Sequence, residues 1–155
     1  MPVALLAQGP NVRIGALGNI LVSVFDGPPD EKTLEVVDRG TSLHAASHAK
    51  YVSIVAIVAE KLAAPTPQFR EGATKLHARF EDQLLASATV ITSRGMAAVV
   101  ARTFLAAYQL IVHYKAPQQT FRDLPTAVAW LEQQVSEVKG VRTVEQLEAF
   151  CAAKP

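Results

Sequence analysis

His44 and His48 are spaced to share a metal, four residues apart on an expected helix. The segment reads His44-Ala45-Ala46-Ser47-His48. It lacks the general-base Glu that zinc hydrolases place between such a pair. No third ligand adjoins it, and two imidazoles leave a tetrahedral site half empty. The expectation is therefore no bound metal and two histidines on a solvated helix face. Cys151 has no His or basic cluster beside it. A buried, unreactive thiol is the commoner use of such a residue. Neither G-x-S-x-G, a P-loop nor G-x-G-x-x-G occurs, and Gly15-Ala16-Leu17-Gly18 reads as a turn. What remains are hydroxyls and cations at expected helix starts: Thr66 with Arg70, and Ser93 with Arg94 and Gly95. Exposed N–H groups and the positive end of a helix attract anions there. These five residues form a candidate rim for a ligand or partner. Plain capping with solvated arginines is the alternative, and the commoner one. No residue is assigned a catalytic role and no cofactor is implied, so the chain reads as a non-enzyme.

Composition narrows the classes further. The chain has 155 residues, half of them apolar and 19% charged, with 15 Lys+Arg against 14 Asp+Glu. That is too apolar for disorder. It lacks the basic excess of a nucleic-acid binder working through phosphates. One Cys allows neither a disulfide framework nor a cysteine zinc site, and agrees with the cytoplasm. The start, Met1 to Pro10, has no basic region and no full apolar core, so no signal peptide is expected. Gly95 to Val112 is the most membrane-like stretch, but it contains Arg102 and Gln109. An Arg near the middle of a span costs about 2.5–3.5 kcal/mol. The stretch reads as a buried helix, with no membrane span.

The elements that would position these residues follow from pattern. Two apolar runs over 12–25 flank Gly15 to Asn19, where Gly18-Asn19 is turn chemistry, and predict a hairpin. Asp30 and Glu31 open a helix reaching about Ala49, with Gly40 and Thr41 weakening its middle. Tyr51 to Ala59 is almost continuously apolar and β-branched, as in a central strand covered on both faces. Phe69, Ala73, Leu76, Phe80 and Leu84 mark one face of a helix over 67–85, capped by Thr66 with Pro67 at its first position. A strand at Ala88 to Thr92, an apolar helix at 96–112 and a strand at 118–122 come next. Asp123 caps a helix carrying Leu124, Ala127, Val128, Leu131 and Val135 along one face. Thr143-Val144-Glu145-Gln146 has the form of a capping box and predicts a tail helix over 143–153. The fold class is α/β: a mixed five-stranded sheet, a hairpin followed by parallel crossovers, packed with four helices plus a short C-terminal helix.

From Val12 to Val135 this order resembles the STAS-like family (sulfate transporter and anti-sigma factor antagonist), and more closely its small uncharacterised bacterial members. The features that carry the resemblance are the hairpin with Val22-Ser23-Val24-Phe25, the strand Val52 to Val58, and Ser93-Arg94-Gly95 before an Arg-bearing apolar helix. The closing Phe121-Arg122-Asp123 through Ala127-Val128-Ala129-Trp130-Leu131 also fits. Antagonists of this family carry an Asp-Ser-Ser-Gly-like stretch whose serine is phosphorylated at a helix start. Here the matching region reads Glu60-Lys61-Leu62-Ala63-Ala64-Pro65-Thr66-Pro67: the motif is absent, and only Thr66 offers a hydroxyl at the matching place. The expectation is that Thr66 acts as a cap, not as a phospho-switch.

The organisation expected is an N-terminal tail at 1–11, a STAS-like domain at 12–138 and a C-terminal extension at 139–155. The resemblance implies a non-catalytic regulatory or scaffolding module that binds a protein. The alternative is a carrier or sensor of a small ligand, lipophilic or anionic and nucleotide-like. The apolar helices 96–112 and 143–153 further suggest a homodimer, since large exposed apolar faces mark contacts.

Overall fold

Gly18 has φ +58° and turns the chain between Leu17 and Ile20, which face each other across the hairpin. A positive φ at the first central residue and not at the second is the type II′ geometry that suits twisted strands. The computed structural model describes residues 2–59, 65–92, 94–111, 115–135, 138 and 140–153. Around this turn lies a six-stranded sheet in sequential order, β1 (Ala4–Gly9), β2 (Val12–Leu17), β3 (Ile20–Phe25), β4 (Tyr51–Ile57), β5 (Leu84–Ile91) and β6 (Gln118–Phe121). The first three strands are antiparallel and β3 to β6 are parallel.

The helices are α1 (Glu31–Ser47), α2 (Pro67–Phe80), α3 (Met96–Ile111), α4 (Leu124–Gln134) and α5 (Gly140–Ala152). Each of α1, α2 and α3 links one parallel strand to its immediate neighbour in the same direction. Right-handed crossovers then place all three on one face of the sheet. The other face is covered by α4 and α5. There Val22, Val24, Val52, Ile54, Ala88 and Val90 meet Leu124, Ala127, Val128, Leu131 and Leu147 in one fully apolar core.

The sheet has six strands, not five, because part of the segment read as a tail, Ala4–Gly9, pairs with β2. That strand shows no alternation of polar and apolar residues. It is an edge strand in which Ala7 alone is buried, and its register shifts between Leu5 and Ala7. The helix expected at 67–85 ends at Phe80, and Leu84 begins β5 instead. The apolar period runs on through the turn, so periodicity could not show the break. Tertiary bonds set it: the Gln83 side-chain amide donates to the carbonyls of Ala45 and His48, at 3.0 Å each. Consequently β5 starts four residues before the expected Ala88. The tail helix starts at Gly140, ahead of the expected Thr143 cap, and Thr143 is buried within it. In α1 the expected weak point is absent. Asp30 caps the helix with a reciprocal box to Thr33, and the helix is continuous through Gly40. A Cβ on Gly40 would lie 2.4 Å from Cγ2 of Ile14, so the glycine allows α1 to approach β2 closely.

Candidate functional site

Under α1, α2 and α3 the sheet presents residues of a different kind from those on its other face. Across β3, β4 and β5, Leu21, Ser53 and Ser87 stand in one row, and Ser23, Val55 and Thr89 in the next. Hydroxyls thus occupy the centre of this face. Ser23, Ser87 and Thr89 are buried and Ser53 is half-buried. The expectation of a strand covered on both faces holds for one face of β4. On the other, Ser53, Val55 and Ile57 keep partial access.

That access exists because α2 leans on α1 and stands off the strands. Gly72 sits against Leu34, where a Cβ would lie 2.0 Å from Cδ2, and Arg79 pairs with Asp38. Along α2 the one buried side chain is Phe69. Between helix and sheet lies a cleft with a cavity of about 240 Å³. Its floor is the hydroxyl-bearing face, its walls include Val37, Leu76, Phe80, Ala101 and Leu105, and Arg70 lies at its rim. Phe25 and Phe69 meet edge to face at 6.4 Å beside it. Burial pushes the Tyr51 phenol up to about 12, so it lines the cleft as a neutral group.

The rim residues expected from the sequence lie beyond the C-terminal ends of β4 and β5. Thr66 caps α2, its hydroxyl accepting the Phe69 N–H at 3.1 Å. Arg70 lies exposed in the first turn of α2 and lines the cleft. Arg94 is exposed, and Gly95, at φ +65°, turns the chain into α3. Among the described residues no hydrogen bond or ion pair joins Arg94 or Gly95 to Thr66 or Arg70. Ser93 lies outside the described residues, as does the stretch from Glu60 to Ala64.

His44 departs from expectation. It is 2% exposed, stacked on His48 at 4.3 Å and set edge-on to Tyr51 at 5.3 Å. It also hydrogen-bonds the backbone of Asn19 in the hairpin turn. It is a tie between α1, the hairpin and β4, not a solvated face. Burial lowers its pKa. No group of three or more His, Cys, Asp or Glu side chains gathers among the described residues. Cys151 is half-buried, and burial pushes its thiol up to about 11.

Two features escaped the sequence reading. Arg13 is buried in β2 and donates from its guanidinium to the carbonyls of Phe150 (2.8 Å) and Cys151 (3.3 Å), closing the end of α5. A lone Arg inside Val12-Arg13-Ile14 was its signal. The hydroxyl floor was signalled by Ser53 within Tyr51–Ile57 and by Ser87 and Thr89, two residues apart in Leu84–Ile91.

No family model matches the chain, and no curated protein matches it. Among solved structures it is similar to an uncharacterized protein of the DUF3478 family with a SpoIIAA-like fold, from Shewanella loihica PV-4. The TM-score is 0.54 and the identity 12%, over 84% of this chain and 96% of that one. The likeness concerns the fold, and it agrees with the hairpin, central strand and Arg-bearing helix: the chain has the SpoIIAA-like, or STAS, fold.

Proposed function

We propose that this protein is a non-catalytic binding module whose cleft takes a small lipophilic molecule. The observation that carries this reading is the cavity of about 240 Å³ between α2 and the sheet. Concave, mostly apolar sites with a few polar groups are where small ligands bind. The absence of catalysis is supported by the state of the nucleophiles. Cys151 is held as the thiol, and no hydroxyl on the sheet floor is hydrogen-bonded to a base among the described residues. A phosphorylation switch at Thr66 has less support, because its oxygen already serves as a cap. The test is a titration of ¹⁵N-labelled protein with ethylbenzene. We expect saturable shifts at the amides of β4, β5 and α2, and loss of binding in Ala73→Phe, which fills the cleft. Saturating ethylbenzene that leaves those amides unmoved would refute the reading.

A second reading is a protein-binding surface on α3, including self-association as a homodimer. It is favoured by Met96 and Val99, which are 74% and 51% exposed on that helix. The other helix expected to be too apolar, α5, turns Leu147, Val144 and Phe150 into the core and leaves Glu145 and Glu148 outside. Of these two helices, α3 is the one that supports this reading. Sedimentation of the protein and of Met96→Glu separates a partnered face from a solvated one.

A further inference from the structure

We infer that the cleft selects a neutral, oxygen-bearing lipophile, its hydroxyl or carbonyl seated over Ser53, Ser87 and Thr89, over both a hydrocarbon and an anionic amphiphile. The inference rests on the cleft being a ligand site, as proposed above. It starts from hydroxyls that the protein leaves unmet. Ser23, Ser87 and Thr89 are 5%, 7% and 3% exposed. With Ser53, all four line the cleft, none has a side-chain hydrogen bond among the described residues, and none of their oxygens is sealed from solvent, so the hydroxyls open onto the cleft. Hydroxyls that open into a mostly apolar cleft and spend no bond within the chain are available to the polar group of an entering molecule, and such sparse polar groups set the orientation of a bound ligand.

Their spacing suits one small polar group. Ser53 and Ser87 are register partners on adjacent strands, roughly 4.8 Å apart along the sheet. Thr89 is two residues beyond Ser87, about 6.6 Å along the strand and on the same face. An oxygen above the middle of these three is within reach of at least two hydroxyls. Each hydroxyl can donate or accept, so the group matches an alcohol, phenol or ketone equally well.

Charge decides against an anion. Among the described residues the charged side chain lining the cleft is Arg70, which is exposed at the rim and belongs to α2, not to the sheet; His77 also lines it, and burial disfavours its charged form. An anionic head on the floor would give up its hydration with no cation facing it there. Size limits the body. An apolar cavity of 150 Å³ holds benzene, so 240 Å³ takes roughly ten non-hydrogen atoms.

The experiment compares ethylbenzene, 4-ethylphenol and the 4-ethylbenzoate anion, titrated separately into the protein and followed by amide shifts. The phenol is expected to bind about tenfold more tightly than the hydrocarbon, and the anion most weakly. In the double variant Ser87→Ala/Thr89→Val the preference for the phenol should vanish while ethylbenzene affinity is kept. That variant should fold at least as stably as the parent, because it removes polar groups that lack partners. Equal binding of hydrocarbon and phenol, or tighter binding of the anion, would overturn the inference and leave the cleft as a ligand site. A marked loss of stability in the double variant would also overturn it, by showing that the hydroxyls are engaged within the fold. If none of the three compounds moves the cleft amides, the underlying ligand-site reading fails instead.

Discussion

At the scale of one residue, His44 joins three elements through its ring: α1 that bears it, the turn at Asn19 and the ring of Tyr51. A buried imidazole avoids the charged form, and neighbouring His48 adds to that bias, so its pKa lies below the ordinary 6.5. Burial lowers His77 in the same direction. With the folded pKa below the unfolded one, the unfolded chain binds more protons in the interval between them, and stability rises with pH there. The contribution is therefore fully present above about pH 6.5 and is lost as pH falls through the folded value. Asp30 and Asp123, whose pKa values lie below 3.8, act only at lower pH. Urea midpoints are expected to drop between pH 7 and pH 5, and to drop less in His44→Phe, with His77 supplying the remainder. A midpoint that is flat or rises on acidification over this range would contradict this account.

Among the elements, α5 shows how a helix end is fixed from a strand. The last carbonyls of a helix lack partners within it, and a cation there also meets the negative end of the dipole. Arg13 satisfies both conditions from β2, with its guanidinium 5.3 Å from the Phe150 ring centre. Gly15, two residues along, has no Cβ to collide with Phe150. Replacing Arg13 with Met should keep the apolar stem and release those carbonyls, loosening the last turn of α5. Cys151 lies in that turn, and burial is the main reason its thiol sits near 11. The guanidinium charge by itself favours the thiolate, but burial is the larger effect on this thiol, so exposing the turn outweighs losing the charge, and we expect Arg13→Met to raise the rate at which a disulfide reagent labels Cys151 at pH 8 by about tenfold. An unchanged rate would mean that Arg13 does not hold this end. Elements of this sort were legible to different degrees. The Gly18-Asn19 turn and the caps at Asp30, Thr66 and Asp123 could be read directly, because each is a local bond between residues close in sequence. The end of α2 could not, because Gln83 is fixed by carbonyls some 35 residues away, and β1 could not, because its pattern is irregular and Ala7 is buried by packing with Val36 of α1. The candidate site was legible in part. Helix starts pointed to its rim, whereas its floor depends on strand register, which brings Ser53 beside Ser87 and which no single segment encodes.

For the whole molecule, the sheet divides the protein into two halves of unequal cohesion. On one side α4 buries Leu124, Ala127, Val128 and Leu131 against an apolar sheet face. On the other, α2 buries Phe69 and rests on α1 above a cleft floored by serine and threonine. Burying a large aliphatic side chain contributes about 1.5–3 kcal/mol, so α4 is tied by several such contributions and α2 by few. Local opening starts where buried apolar contacts are fewest. The helix of lower local stability is thus the one roofing the cleft, which allows an occupant to enter without disturbing the α4–α5 core. Native-state hydrogen exchange is expected to show α2 amides exchanging through openings at least tenfold more frequent than those of α4. The Ala127 and Leu131 amides should exchange near the global unfolding limit. A molecule seated in the cleft would touch Phe69, Leu76 and Phe80 and close the gap below α2. Saturating 4-ethylphenol should therefore slow exchange in α2 more than in α4, because binding stabilises the closed state by mass action. Equal protection of the two helices without ligand, or a uniform slowing of both on its addition, would refute the division and show a single cooperative unit.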